Sequence, residues 1–345
     1  MEQQQISERL AQLPENPTAE DYRAAAKRLL SLVQARLPAM GTGLSQERLW
    51  FLSCVARHDL GLARLLEGHL DATQILWEAN RPVASDQLYG VWASGGPADT
   101  AALEQRGESG LQLVGEKPFC SGSDIVDRAL VYIYPAEQLL EVDMGAIAAT
   151  GRAQFDGEQW KTSALAQTHT WTVRFTGVVV SRKDLVGVKS WYFDRPGFCL
   201  GAFAPAACWA GGAMGLVDSV RKRSMKDVHA QAHLGAMVSS VCTMQAMLRW
   251  GAKQIDTDPA NASARLFPAA LLVRHQIERA CTDIMDRFGR TLGPRPLVFD
   301  EDNARRVAEL TVYIRQCHAE RDLEELGAYL ETDPGFCSYT TAHEM

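Results

Sequence analysis

The sequence contains no Cys-x-x-Cys pair, although its 345 residues include eight cysteines, at positions 54, 120, 199, 208, 242, 281, 317 and 337. Zinc-finger and thioredoxin-type chemistry are thereby excluded. Several of these cysteines lie in apolar runs, as buried free thiols do, which implies a reducing compartment without structural disulfides. There is no HExxH, Walker loop, Gly-x-Ser-x-Gly elbow or Gly-x-Gly-x-x-Gly after a strand. Zincin, P-loop, serine-hydrolase and Rossmann chemistries drop out with them. No uninterrupted apolar stretch reaches membrane-spanning length. The N-terminus, MEQQQISERL, is too polar for a signal peptide. The expectation is a cytoplasmic chain with no membrane partner. Positive charge is scarce: 35 Lys and Arg against 42 Asp and Glu leave a net charge of −7. That argues against nucleic acid as a partner. The basic run RKRSMK (221–226) reads as a solvated helix face.

What is present divides by periodicity into three segments. Residues 1–85 are helical in pattern. Asn16 and Thr18 precede AEDYRAAAKRLLSLVQARL, with acids first and bases later, as the helix dipole favours. Pro38 and the Gly-Thr-Gly at 41–43 break this helix. Leu62, Leu65, Leu66, Leu70, Leu76 and Trp77 then recur at helical spacing, ended by Arg81-Pro82. Residues 86–195 change to short runs rich in Val, Tyr, Trp and Thr: QLYGVWAS, LQLVGEKPF, RALVYIY, LLEVDM, TWTVRFTGVVV and KSWYF. With no helices between them, an antiparallel barrel or sandwich is expected. Residues 196–331 return to helix, in four long runs. The third is expected to kink at Pro268 and the last, DEDNARRVAELTVYIRQCHAERDLEELGAYL, to be capped by Asp300. The fold class is therefore α+β, mainly α: N-terminal helices, a middle β-domain, a C-terminal four-helix bundle and a poorly ordered tail at 332–345.

This order, with GLQLVGEKPFCSGSDIVDRALV (110–131), FTGVVVSRKDLVG (175–187), AGGAMGLVDSV (210–220) and RTLGPRP (290–296), resembles the acyl-CoA dehydrogenase superfamily. The resemblance covers roughly 60–331. It implies FAD between the β-domain and the bundle, a homodimer or homotetramer, and a small acyl substrate. It also implies an electron-transfer partner or flavin reductase. Carried over residue by residue, Phe119 packs on the isoalloxazine edge and Ser121 bonds a flavin heteroatom. Ser94, in YGVWASGGP (89–97), stands on the second flavin-facing loop, and Arg290 and Gly293 meet the diphosphate. The residue types suit these roles: an aromatic covers apolar ring area, a hydroxyl donates or accepts, and arginine matches phosphate.

The family pattern is interrupted in four places. The Thr-Glu-Pro-Gly-x-Gly-Ser-Asp loop is replaced by ASGGPADT (93–100), and the Arg-x-x-Phe-Gly of the bundle by QAHLG (231–235), which removes a cationic diphosphate contact. The position of the glutamate base falls at Cys317 and His318, and a second base position at Ala-Pro-Ala (204–206). Three readings follow. The first is an FAD-dependent oxidoreductase of the acyl-CoA dehydrogenase type with a relocated base, acting on an acyl thioester or related molecule. The second is a flavin-dependent monooxygenase of the same fold, with His318 as the catalytic candidate and Cys317 beside it. The third is a degenerate binding or assembly paralogue. Plainer roles stand beside these. Ser94 and Ser121 suit turns, Phe119 suits a core, and Gly211, Gly212 and Gly215 suit close helix packing. His69 suits a core histidine, and His229 and His233 suit a solvated helix face.

Overall fold

In the computed structural model, residues 3–14, 17–33, 39–107, 110–224, 226–261 and 264–337 are described. Asn16, Pro38 and the tail beyond Cys337 lie outside them.

Four helices open the chain: α1 (Gln3–Leu10), α2 (Ala19–Val33), α3 (Ser45–His58) and α4 (Leu60–Glu78). Thr18 and Asp21 start α2 reciprocally. The Thr18 N–H donates to Asp21 Oδ2 at 2.8 Å, and the Asp21 N–H to Thr18 Oγ1 at 3.2 Å. Helix α4 is capped by Asp59, whose Oδ1 accepts from the Leu62 N–H at 2.7 Å. Asp59 also accepts from Tyr22 Oη at 3.0 Å and Arg305 at 3.2 Å, so one cap ties α2, α4 and the last part of the bundle together.

The middle of the chain forms β1 (Tyr89–Trp92), β2 (Ala102–Arg106), β3 (Gly110–Cys120), β4 (Arg128–Ile133), β5 (Gln138–Asp143), helix α5 (Met144–Ala149), β6 (Ala153–Asp156), β7 (Trp171–Val180) and β8 (Leu185–Val186). They make two four-stranded sheets, ordered β1-β4-β5-β8 and β2-β3-β7-β6. One pairing departs from the antiparallel expectation: β1 runs parallel to β4, with Tyr89 opposite Arg128. The hairpin β2–β3, which belongs to the other sheet, serves as the crossover that a parallel pair requires. The run KSWYF is no strand either; it contributes α6 (Trp191–Asp194).

After α6 come α7 (Phe198–Gly201), α8 (Phe203–Arg221), α9 (Val228–Thr257), α10 (Leu266–Leu292), α11 (Arg295–Val298), α12 (Glu301–Tyr313) and α13 (Glu320–Thr332). Pro268 causes no kink because it stands in the first turn of α10, where its missing N–H would have no helical partner. Asp300 caps α12 as expected, accepting from the Asn303 N–H at 3.1 Å. The last run, expected to be one helix, is broken: a 3-10 turn at 314–316 ends α12, and Ala319 takes φ +50° before α13. Segment Phe198–Arg221, which spans α7 and α8, is apolar and long enough to cross a membrane, yet 83% of its most apolar 18-residue stretch is packed inside the fold. Helix α8 packs against α3, α4, α9, α10 and α12. Gly211 permits this, since a Cβ there would lie 2.2 Å from the Ser53 carbonyl oxygen of α3. Close helix packing therefore accounts for that glycine.

Candidate cofactor site

Strand β3 ends in a strained turn. Phe119 has φ +57°, a conformation rare outside glycine, and its ring is 56% exposed. Strain at an exposed aromatic points to a role other than packing. The Phe119 ring meets Trp160 edge-on, with centroids 6.4 Å apart. Trp160 is itself fixed by Nε1 donating to the Ala164 carbonyl at 3.0 Å. The core role open to Phe119 does not apply.

Two residues on, Ser121 is buried, and its Oγ accepts from Thr170 Oγ1 at 3.0 Å. Thr170 in turn lies 2.7 Å from Thr168 Oγ1. This chain of hydroxyls leaves the Ser121 proton available to a ligand acceptor. The Ser121 carbonyl accepts from Trp92 Nε1 at 3.0 Å, which ties the turn to β1 and to the loop that follows β1. Ser94 is exposed on that loop. Tyr134 Oη holds the loop by donating to the Ala93 carbonyl at 2.8 Å, and a side chain at Gly95 would strike the Tyr134 ring. Phe119, Ser121, Trp92 and the 93–96 loop thus share one end of the β-region, with two aromatic faces and one hydroxyl donor.

The remaining expected residues sit on the bundle. Arg290 is exposed and pairs with Asp286 of its own helix at 2.9 Å. Gly293 ends α10 at φ +68°, with open space where a Cβ would stand. Cys317 and His318 occupy the break before α13, next to the strained Ala319. Burial pushes the Cys317 thiol above its ordinary range, which does not suit a nucleophile. His318 is largely exposed, and its backbone N–H and Nδ1 both lie 3.1 Å from the Asp322 carboxylate. That arrangement fixes the ring and leaves Nε2 directed away from Asp322. Asp322 was missed in the sequence, although its spacing from His318 (i, i+4) is visible there. Glu320, which is nearer in sequence, is exposed.

A buried polar cluster joins the two halves. Arg64 and Glu67 of α4 pair with each other, and Tyr313 Oη of α12 donates to Glu67 Oε2 at 3.3 Å. Trp209 of α8 meets Tyr313 edge-on, and Arg274 of α10 lies 4.9 Å over the Trp209 ring and 3.9 Å from Asp322. Of the carboxylates here, Glu67 and Asp322 are already bonded. Glu309 of α12 is bonded to Gln167 at 2.5 Å. His69 is a core histidine, with Nδ1 accepting from the Tyr89 N–H at 3.1 Å; burial lowers its pKa to about 3. His233 faces Arg287, and among the described residues no cluster of three ligands could hold a metal ion.

The resemblance implies a flavin, and the residue types here suit its ring. Phe119 and Trp160 offer apolar faces, the small-residue loop admits a flat ligand, and Ser121 has a proton to give. At the phosphate end the fit rests on Arg290 and the open Gly293 turn alone.

N-terminal helices, two small sheets and a terminal bundle in this order define the acyl-CoA dehydrogenase fold, and the chain has that fold. It is similar to dibenzothiophene monooxygenase (TdsC) from Paenibacillus sp. A11-2, at 16% identity over 96% of both chains with a TM-score of 0.77. It is similar to methanesulfinate monooxygenase MsuC from Pseudomonas fluorescens, at 17% identity over 96% of this chain and 95% of that one, TM-score 0.70. Butyryl-CoA dehydrogenase from Megasphaera elsdenii aligns at 13% identity over 95% and 98%, TM-score 0.67. No family model and no curated protein matches the sequence.

Proposed function

We propose that the chain is a flavin-dependent monooxygenase acting on a small molecule. The carrying observation is the state of the base position. Desaturation of an acyl thioester needs a carboxylate free to take an α-proton. At 317–318 this chain has a buried thiol and a histidine, and the nearest carboxylate, Asp322, is spent on holding that histidine. Oxygenation has no such requirement. TdsC has been described bound to FMN and indole, and two of the three compared proteins are monooxygenases.

In this reading Phe119 and Trp160 cover the flavin ring, Ser121 donates to one of its heteroatoms, and Ser94 borders it. Arg290 and Gly293 take the phosphate end. Held there in its reduced form, a flavin would supply the electrons that activate dioxygen. The chain's own residues position the ring, exclude water and move a proton through His318 Nε2, with Asp322 holding the imidazole in place. The isoalloxazine is common to FAD, expected from the resemblance, and FMN. A separate flavin reductase supplies the reduced form, and the divisions at 85 and 195 separate the three domains. Helix α9 leaves Leu234, Val238 and Val241 on one incompletely covered stripe, which serves a homo-oligomeric contact.

The test is turnover with externally reduced flavin. Wild-type protein consumes oxygen with substrate, while His318→Ala keeps its flavin and loses about 10²-fold or more in rate. Bleaching of bound flavin by an acyl-CoA under anaerobic conditions would replace this reading with the dehydrogenase one.

A further inference from the structure

The end of α4, the start of α6 and the turn from α9 to α10 meet around a cleft of about 820 Å³. That is the size of a pocket for a small organic molecule. None of the residues assigned to the flavin lines it. Pro82, Pro196 and Pro259 stand in its wall and restrict the backbone of its three loops, so the cleft is formed before anything enters.

Tryptophans give the wall its character. Trp77, near the end of α4, is 57% exposed, far more than this residue type usually is. Trp191 opens α6 and is half-buried. Its ring lies on the backbone of Gly187, where a Cβ would stand 2.3 Å from it. Large aromatic faces left open at a cleft suit a flat ligand.

The charged residues of the wall are already paired. Arg195 Nη1 donates to Glu78 Oε2 at 3.0 Å, and Arg195 Nη2 lies 3.5 Å from Asp71 Oδ1. Glu78 also accepts from Gln74 Nε2 at 2.7 Å. Arg81 donates to Glu141 Oε2 at 2.6 Å. A charged ligand would have to break one of these pairs, and an anion would meet Glu78 and Asp71 beside Arg195. One donor is unspent. Arg195 Nε, on a side chain 1% exposed, has no hydrogen-bond partner among the described residues. A neutral acceptor such as a carbonyl oxygen satisfies it without disturbing either carboxylate.

We propose that this cleft binds an uncharged, flat aromatic molecule carrying a carbonyl-like oxygen. Its rings lie against Trp77 and Trp191, and its oxygen faces Arg195. The site stands apart from the flavin-facing turn and needs no flavin.

Titration calorimetry on the full chain tests this with 2-naphthamide and two analogues. 2-Naphthoate keeps the rings and adds a charge. Decahydro-2-naphthamide keeps the carbonyl and loses the flat rings. The amide should bind about tenfold or more tightly than the naphthoate, and about threefold to tenfold more tightly than the saturated amide. Trp77→Ala, at a position exposed enough to leave folding intact, weakens the amide about tenfold, and Trp77→Phe restores most of the loss. Excess FMN leaves the affinity unchanged. No saturable binding of the amide, equal affinity for the amide and either analogue, unchanged affinity in Trp77→Ala, or displacement of the amide by FMN overturns the proposal. Amide binding by a chain that retains no flavin would sink the monooxygenase reading and leave this one standing.

Discussion

Phe119 holds two costs at once, a left-handed backbone and an exposed ring. Phe119→Gly should therefore separate function from stability. Relief of strain is worth on the order of 1 kcal/mol and offsets the added chain entropy of glycine. Urea midpoints should stay within about 1 kcal/mol of wild type, while flavin affinity, read by fluorescence quenching, weakens about tenfold. A variant that loses several kcal/mol and keeps its flavin would return Phe119 to a packing role. The sequence offers Phe119 and Ser121 together because both fall inside GEKPFCSGS, and the structure sets them at and just beyond the end of β3. Arg64 and Glu67 were not legible in it. An Arg and a Glu three apart on a helix read as a solvated pair. Their burial comes from α8, α10 and α12, which begin at residues 203, 266 and 301, far downstream.

Among elements, the C-terminal run shows where periodicity misleads. Val307, Leu310, Ile314 and Cys317 keep a helical stripe, yet the chain leaves the helix at Ile314 and restarts at Glu320. A stripe reports which face is buried, not whether the backbone is continuous, and no Pro or Gly marks this break. The interruption frees the His318 backbone N–H from a helical partner, and it donates to Asp322 Oδ2 at 3.1 Å. The run KSWYF (189–193) misled in the other direction: its aromatic character suggested a strand, and α6 formed where Tyr192 packs against Tyr132, centroids 5.2 Å apart. The caps were read more reliably because they are local. At the α3–α8 contact, Gly211→Ala forces a methyl group onto the Ser53 carbonyl and should cost about 1–3 kcal/mol by urea denaturation. No measurable loss would mean that the two helices sit further apart.

Over the whole molecule, two buried titrating groups pull stability in opposite directions with pH. His69 has its pKa lowered from 6.5 to about 3, first by burial and then by Arg48. Its contribution is whole above pH 6.5 and is lost as pH falls toward 3, because the unfolded chain binds the proton first. Glu309 has its pKa raised from 4.5 to about 7, first by burial and then by Asp59. Its contribution is whole below 4.5 and is lost as pH rises through 7, because the folded chain holds the proton longer. Glu309→Gln should therefore gain stability relative to wild type at pH 8 and not at pH 4.5. A gap between the two proteins that is the same at both values would contradict the assignment. The layered order of helices, strands and bundle was legible from changes in hydrophobic period along the chain. The parallel β1–β4 pair was not, because pairing depends on which sheet a hairpin joins.

The central claim is that a flavin ring lies against Phe119 and Ser121, and retention of flavin by the purified chain tests it most directly. The protein is incubated with excess FMN or FAD, dialysed exhaustively, and its visible absorbance is measured beside that of Ser121→Trp. The account predicts about one flavin per chain in the wild type and none in the variant, with the variant still unfolding cooperatively in urea at a midpoint lowered by overpacking. Equal flavin content in the two, or none in either, would contradict it.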